Sequence, residues 1–167
     1  MSKPALLAQL EPLHRDAFGW ALHCCDGDTM AAEDILQTAY CRVAQGKAVF
    51  GGRSELKTWW LGVVRMIVLE QRRRAFWRLE KLRGWFVAGG RLNEEPAPKG
   101  EGGDERIASA LAVLPARQRE ALHLVFYQDL TISQAAEAME ISVGSARQHY
   151  ARGKARLRSI LFEHEPA

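Results

Sequence analysis

The chain is short of the residues that brace secreted scaffolds, hold metals or span membranes. Cysteine occurs three times in 167 residues, at Cys24, Cys25 and Cys41, an odd number whose spacing offers no disulfide framework. His23 precedes the adjacent pair, but no CxxC or HxxxH element supplies the other half of a tetrahedral site. The three read as small hydrophobes, and neither a metal nor any other cofactor is expected. No basic cluster adjoins them to lower a thiol pKa, so a redox role is weakly motivated. No apolar run approaches the ~20 residues that cross a bilayer, and the opening MSKPALLAQLEPLHRDAF has no uninterrupted apolar segment of the secretory kind. A soluble, cytoplasmic protein is the expectation. Also missing are the P-loop, GxGxxG, HExxH and GxSxG patterns of common catalytic sites. Glu33 and Asp34 are adjacent and so point different ways from a helix. No enzyme activity is expected.

What is present is a helical, unevenly charged chain. At 47% hydrophobic and 26% charged residues it is globular. A net charge of +3 understates the asymmetry, because the basic residues gather in two stretches and suggest an anionic partner with two contact zones. Leu6, Leu10, Leu13, Phe18 and Leu22 recur at helical spacing and predict one amphipathic helix over Ala5–Cys25. Asp26-Gly27-Asp28 breaks it, and Asp28 or Thr29 can cap a second helix running to about Ala44. Ser54 is a candidate cap for a long helix reaching about Arg83. Composition then shifts: Gly84 to Glu105 carries six glycines and two prolines and too little apolar surface to offset its ordering entropy. The expected organisation is all-α, with two small helical domains, 1–86 and 105–167, joined by a flexible linker at 87–104. Helices are predicted at Glu105–Val113, Pro115–Tyr127, Ile132–Met139 and Val143–Phe162, with Pro115 at a first helical position.

The clearest local signal lies between Leu130 and Leu161. Thr131 or Ser133 can cap a short helix whose Ile132, Ala135, Ala136 and Met139 face inward. Glu140-Ile141-Ser142 makes a tight connection, and Ser142 can cap the next helix. The small Ala135 and Ala136 permit the close crossing of a helix-turn-helix. The outward face of the second helix carries Arg147, Gln148, Arg152, Lys154, Arg156 and Arg158, and no acidic residue occurs between Glu140 and Glu163. Such a helix suits the DNA major groove. Arg147 and Arg152 could read guanine and Gln148 adenine, while Ser145 and the helix N-terminus would hold phosphate.

The second basic stretch, Phe50 to Arg83, interleaves aromatics with cations. Trp59, Trp60, Phe76 and Trp77, with Trp85 just beyond, lie among Arg53, Lys57, Arg65, Arg72, Arg73, Arg74, Arg78 and Lys81. Rings that stack bases beside cations that track phosphates hold single-stranded nucleic acid. A tryptophan inside a helical bundle is the simpler alternative: Trp59 reads as core, and Trp60 stands between core and surface.

These residues match a known family. LPARQREALHLVFYQDLTISQAAEAMEISVGSARQHYARGKARLRSIL resembles region 4 of sigma-70-family RNA polymerase sigma factors. AAEDILQTAYCRVAQG resembles the region 2 helix that binds the clamp helices of the polymerase's largest subunit, and FGGRSELKTWWLGVVRMIVLEQRRR the segment that recognises and melts the −10 element. Length and the absence of a region 3 domain resemble the extracytoplasmic-function (ECF) group. The resemblance implies a region 2 bundle and a region 4 helix-turn-helix that together direct promoter-specific transcription initiation. It implies contacts to core polymerase through Asp34, Gln37 and Arg42. Contacts to the −35 duplex would come from Ser145, Arg147, Gln148, Ala151, Arg152 and Lys154. The −10 single strand would meet Phe50, Arg53, Ser54, Lys57, Trp60, Arg65, Met66, Arg72 and Arg73, with Phe50 to Leu56 pocketing a flipped base. Implied partners are core RNA polymerase (clamp helices and flap), promoter DNA and an anti-sigma factor, often membrane-bound. Gly51-Gly52 in the Phe50 to Leu56 loop and two further positions depart from the family pattern. Thr38 replaces a common acidic residue, and Met66, where a polar residue often stands, cannot give the same directional hydrogen bonds, so an altered −10 preference is expected. The rival reading is a conventional helix-turn-helix regulator that binds an operator without core polymerase; it leaves the aromatic-basic helix unexplained.

Overall fold

The computed structural model describes residues 2–83 and 103–162, and these contain eight α-helices and no strand. The first half runs α1 (Lys3–Leu10), a 3-10 turn (Glu11–Leu13), α2 (His14–Cys24), α3 (Thr29–Gln45) and α4 (Leu56–Arg83). The second half runs α5 (Gly103–Ala112), α6 (Ala116–Phe126), α7 (Ile132–Met139) and α8 (Val143–Phe162). Most of the expected linker, and Trp85, lie outside the described residues.

Local chemistry accounts for most boundaries. The Asp28 carboxylate accepts from the Ala31 amide at 3.0 Å and starts α3, and Gly46, at φ 74°, ends it in the left-handed conformation that glycine tolerates best. Thr131 and Gln134 form a reciprocal capping box on α7. The Ser142 hydroxyl accepts from the Ser145 amide at 3.1 Å and so begins α8.

Three expectations are corrected. The single helix over Ala5–Cys25 is broken by a 3-10 turn at Pro12, whose ring has no N–H to donate and collides with the carbonyl four residues back. α4 starts at Leu56, so Ser54 does not cap it. Pro115 is the N-cap of α6 and not its first helical residue, so the helix starts one residue later than expected.

The two halves pack into one body with a continuous core. Trp20, Trp60, Leu61, Val64 and Ile67 from the first half are buried in the same cluster as Leu124, Leu130, Ala135, Ala138 and Met139 from the second. α4 is the central element, meeting α2 and α3 on one side and α7 on another. Backbones come close where α4 crosses α7. A Cβ at Gly62 would sit 3.7 Å from Ala138 Cα and O, which is room for a methyl and little more. Within the second half, Gly153 lets α8 lie on α6, since a Cβ there would meet the Gln118 carbonyl oxygen at 3.2 Å and Leu122 Cδ1 at 3.1 Å.

Candidate nucleic-acid interface

α8 presents the most strongly one-signed surface of the molecule. Ala146 and Gly153 are buried and Tyr150 and Leu157 half-buried, which fixes the inward face. The opposite face leaves Arg147, Gln148, Ala151, Arg152, Lys154, Arg156 and Arg158 exposed. Ser145 is half-buried at the first turn, its hydroxyl 2.8 Å from that of Ser142. The −35 residues expected from the sequence therefore share one solvent-facing helical surface. α7 holds that surface in place. Glu140, at φ 54°, turns the chain after Met139, and Ile141 packs into the core at the corner. A rigid pair of helices with the second exposed along its basic face is suited to phosphates and base edges.

The second zone divides. Arg53, Arg73, Arg74, Phe76, Trp77 and Arg78 are exposed, and Met66 is partly so. Phe50 is half-buried with its ring 5.3 Å from that of Trp59, and Ser54 is half-buried. Four other expected strand-facing residues are engaged elsewhere. Trp60 is fully buried, its ring 5.0 Å from Tyr40, so it offers no face to a base and is a core residue. Arg65 is 3% exposed and binds Glu120 on α6 at 3.1 Å. Lys57 Nζ lies 2.8 Å from Asp16 Oδ2. Arg72 is exposed but donates to the Cys24 carbonyl and lies 3.5 Å from Asp26. The aromatic-basic pattern thus serves two purposes on one helix: the half near Leu56 is structural, and the half beyond Leu69 projects into solvent.

The residues expected to face polymerase lie on α3 and at its end. Asp34 and Gln37 are exposed, and Asp34 accepts from Gln71 Nε2 at 3.3 Å. Arg42 is half-buried and makes a two-pronged pair with Glu70 of α4, which raises the guanidinium pKa further and lowers that of the carboxyl. Gln37 and Arg42 line an open polar groove with Thr38, Cys41, Gln45 and Lys47. Gln45 and Lys47 were not singled out from the sequence; they lie three and five residues after Arg42, at the end of α3 and just beyond it.

Cys24 and Cys25 are not activated. Burial pushes the Cys24 thiol up, with Glu120 adding to the effect, and burial also raises Cys25. No group of three or more His, Cys, Asp and Glu able to hold a metal occurs among the described residues. No described helix is long and apolar enough to cross a membrane.

Comparisons with known proteins agree with this geometry. The family model described as "Sigma-70, region 4" matches residues 104–157, which span α5, α6, α7 and most of α8. The ECF RNA polymerase sigma factor SigX of Bacillus subtilis (strain 168) is 29% identical over 147 residues, covering 84% of this chain and 75% of SigX. Two solved structures share the fold. The sigma factor RpoE from Bartonella quintana, in complex with the anti-sigma factor NepR, has a TM-score of 0.73 at 22% identity and covers 95% of this chain and 97% of its own. CnrH, in complex with the cytosolic domain of CnrY, has a TM-score of 0.65 at 19% identity and covers 98% and 92%.

Proposed function

We propose that this chain, which belongs to the sigma-70 family of sigma factors in its extracytoplasmic-function group and acts in transcription initiation, binds core RNA polymerase and reads a two-part promoter. One observation carries this reading: an exposed, acid-free basic helix, α8, is mounted on a helix-turn-helix in one half of the chain, and a second basic helix with exposed aromatics, α4, lies in the other half. A single-site regulator needs only the first of these.

In this reading α8 enters the major groove of the −35 element. Arg147, Gln148 and Arg152 meet base edges, Ala151 leaves room for a thymine methyl, and Ser145 with Lys154 holds phosphate. The solvent-facing residues of α4 and its preceding loop (Arg53, Met66, Arg72 and Arg73) accompany the −10 strand, with Phe50 and Ser54 at the mouth of the loop. Arg65 and Lys57 join them only when their present carboxylate partners are released. Asp34, Gln37 and Arg42 face the clamp helices of the largest subunit, and α5–α8 the flap. A cytoplasmic location and restraint by an anti-sigma factor complete the reading; the complexes of RpoE with NepR and of CnrH with CnrY are its precedents.

The test is promoter-dependent transcription. Purified chain is added to bacterial core polymerase on a genomic fragment library, with core alone as control. Discrete start sites that appear only with the chain, preceded by two shared sequence elements, are the expected result. Tight operator-like DNA binding without core, and no new start sites, would instead make the chain a conventional regulator.

A further inference from the structure

Two of the residues that α3 offers to polymerase are held in place by its neighbour α4. Arg42 Nη1 donates to Glu70 Oε1 at 3.1 Å and Arg42 Nη2 donates to Glu70 Oε2, so both carboxylate oxygens are engaged. The next residue, Gln71, donates through Nε2 to Asp34 Oδ2 at 3.3 Å. Two consecutive residues of α4 thus reach two residues of α3 that lie about 12 Å apart along its axis, at 1.5 Å per residue. Consecutive helical side chains point about 100° apart, which lets the two diverge along α3.

The core fixes where this brace sits. Ile67 and Val68 of α4 are buried in the same cluster as Ile35, Leu36, Ala39 and Val43 of α3, which sets the roll of α4 beside α3. Glu70 and Gln71 follow as half-buried residues, and residues 72–81 beyond them are exposed. On the other side, Arg42 lines an open groove of about 400 Å³ together with Gln37 and Lys47. A guanidinium presents several N–H donors in a planar fork, and Glu70 takes two of them. An unbraced arginine at such a surface loses rotamer freedom when a partner binds, whereas a braced one has lost it already.

We propose that Glu70 and Gln71 are positioning residues for core polymerase, presetting Arg42 and Asp34 for that partner without touching it. The contact surface is then completed by α4 and is not the property of α3 alone. The inference rests on the reading of Asp34, Gln37 and Arg42 as the polymerase face, and deepens it. It also joins that face to the strand-facing half of α4, because Glu70 and Gln71 stand at the root of the segment that carries Arg73 and Arg74.

The experiment is a double-mutant cycle on the full chain, read as affinity for bacterial core polymerase by fluorescence titration. Glu70→Ala is expected to weaken association about three- to tenfold, the cost of ordering one long side chain on binding. Arg42→Ala should weaken it at least as much, and Glu70→Ala/Arg42→Ala no further than Arg42→Ala alone. Losses that add would mean that Glu70 touches polymerase itself, which overturns the positioning role. A staple that merely joins α3 to α4 is distinguished by the exchange Arg42→Glu/Glu70→Arg. That variant restores the ion pair in reverse, so its thermal unfolding midpoint should return toward wild type while association stays weak. Association recovered along with the midpoint would overturn the proposal. Glu70→Gln keeps the length and one acceptor oxygen, so it should hold the fold and lose less affinity than Glu70→Ala. Wild-type affinity in both Glu70 variants, beside a weakened Arg42→Ala, would remove the positioning role and leave the polymerase face standing. Wild type failing to bind active core would instead sink the polymerase reading, and this role with it.

Discussion

Trp20 and His123 meet across the two halves of the chain, ring centroids 5.3 Å apart, with His23 stacked between α2 and α6 at 5.5 Å from the same indole and 4.1 Å from the His123 ring. Both imidazoles are held neutral. Burial, helped by Arg119 and Arg72, lowers His23 to about 4, and burial, helped by His23, lowers His123 to about 3. The groups facing the pair are therefore Arg119 and Arg72 on the cationic side, with Gln128 and Tyr127 beside His123.

The pH dependence follows from that pair. An unpacked imidazole titrates near 6.5, so above that pH neither form carries the extra proton and the packed form keeps its full stability. As pH falls from about 6.5 toward about 4, the unpacked state binds protons that the packed state cannot, and stability drops. Chemical denaturation at pH 7.5, 6 and 5 should show a falling midpoint. His123→Phe, which keeps a ring against Trp20, should flatten the curve, and an equally steep curve would assign the effect to other groups.

Base readout by α8 is testable at Arg147. If its guanidinium binds a guanine edge in two-pronged fashion, Arg147→Ala should cost about 1–3 kcal/mol at that base pair and relax preference there alone. Lys154→Ala should weaken all promoters alike. A panel of −35 variants separates the two, and an unchanged preference in Arg147→Ala removes it from readout.

The polymerase-facing surface is expected on α3. Asp34 is exposed and accepts from Gln71 at 3.3 Å, so Asp34→Arg should leave thermal stability near wild type while weakening association with core polymerase. Normal association in a pull-down or by fluorescence titration would move the contact off this face.

Gly153 sets the spacing of α6 and α8. Alanine is the better helix former by about 1 kcal/mol, but its methyl would press the Gln118 carbonyl at 3.2 Å, and such overpacking typically costs about 1–3 kcal/mol. A backbone atom yields less readily than a side-chain tip, so Gly153→Ala should be net destabilising by about 1 kcal/mol in urea unfolding. A stabilised variant would show that α8 shifts freely on α6.

The −10 preference is expected to follow residue 66. Met66 sits at the solvent-facing edge of α4, 36% exposed, with no amide to direct a base. Met66→Asn should sharpen or change the preferred −10 base in the same transcription assay, and identical start-site sequences would place the pocket elsewhere.

Much of the second half was legible in the sequence because its signals are local. The capping residues Thr131 and Ser142, the small pair Ala135-Ala136 and the acid-free run of α8 act within a few residues of one another, and the bounds of α7 and α8 match expectation. Helix α4 was legible as a helix but not as a surface. Its partners lie far along the chain: Asp16 for Lys57, Tyr40 for Trp60 and Glu120 for Arg65. Periodicity identifies which residues share a face, but it carries no information about which distant carboxylate or ring covers that face. The sequence by itself therefore determined the helices, the helix-turn-helix and the basic character of both contact zones. Only the tertiary structure decided that Trp60 belongs to the core and Arg65 to an internal ion pair, because burial and charge pairing depend on residues brought together by folding.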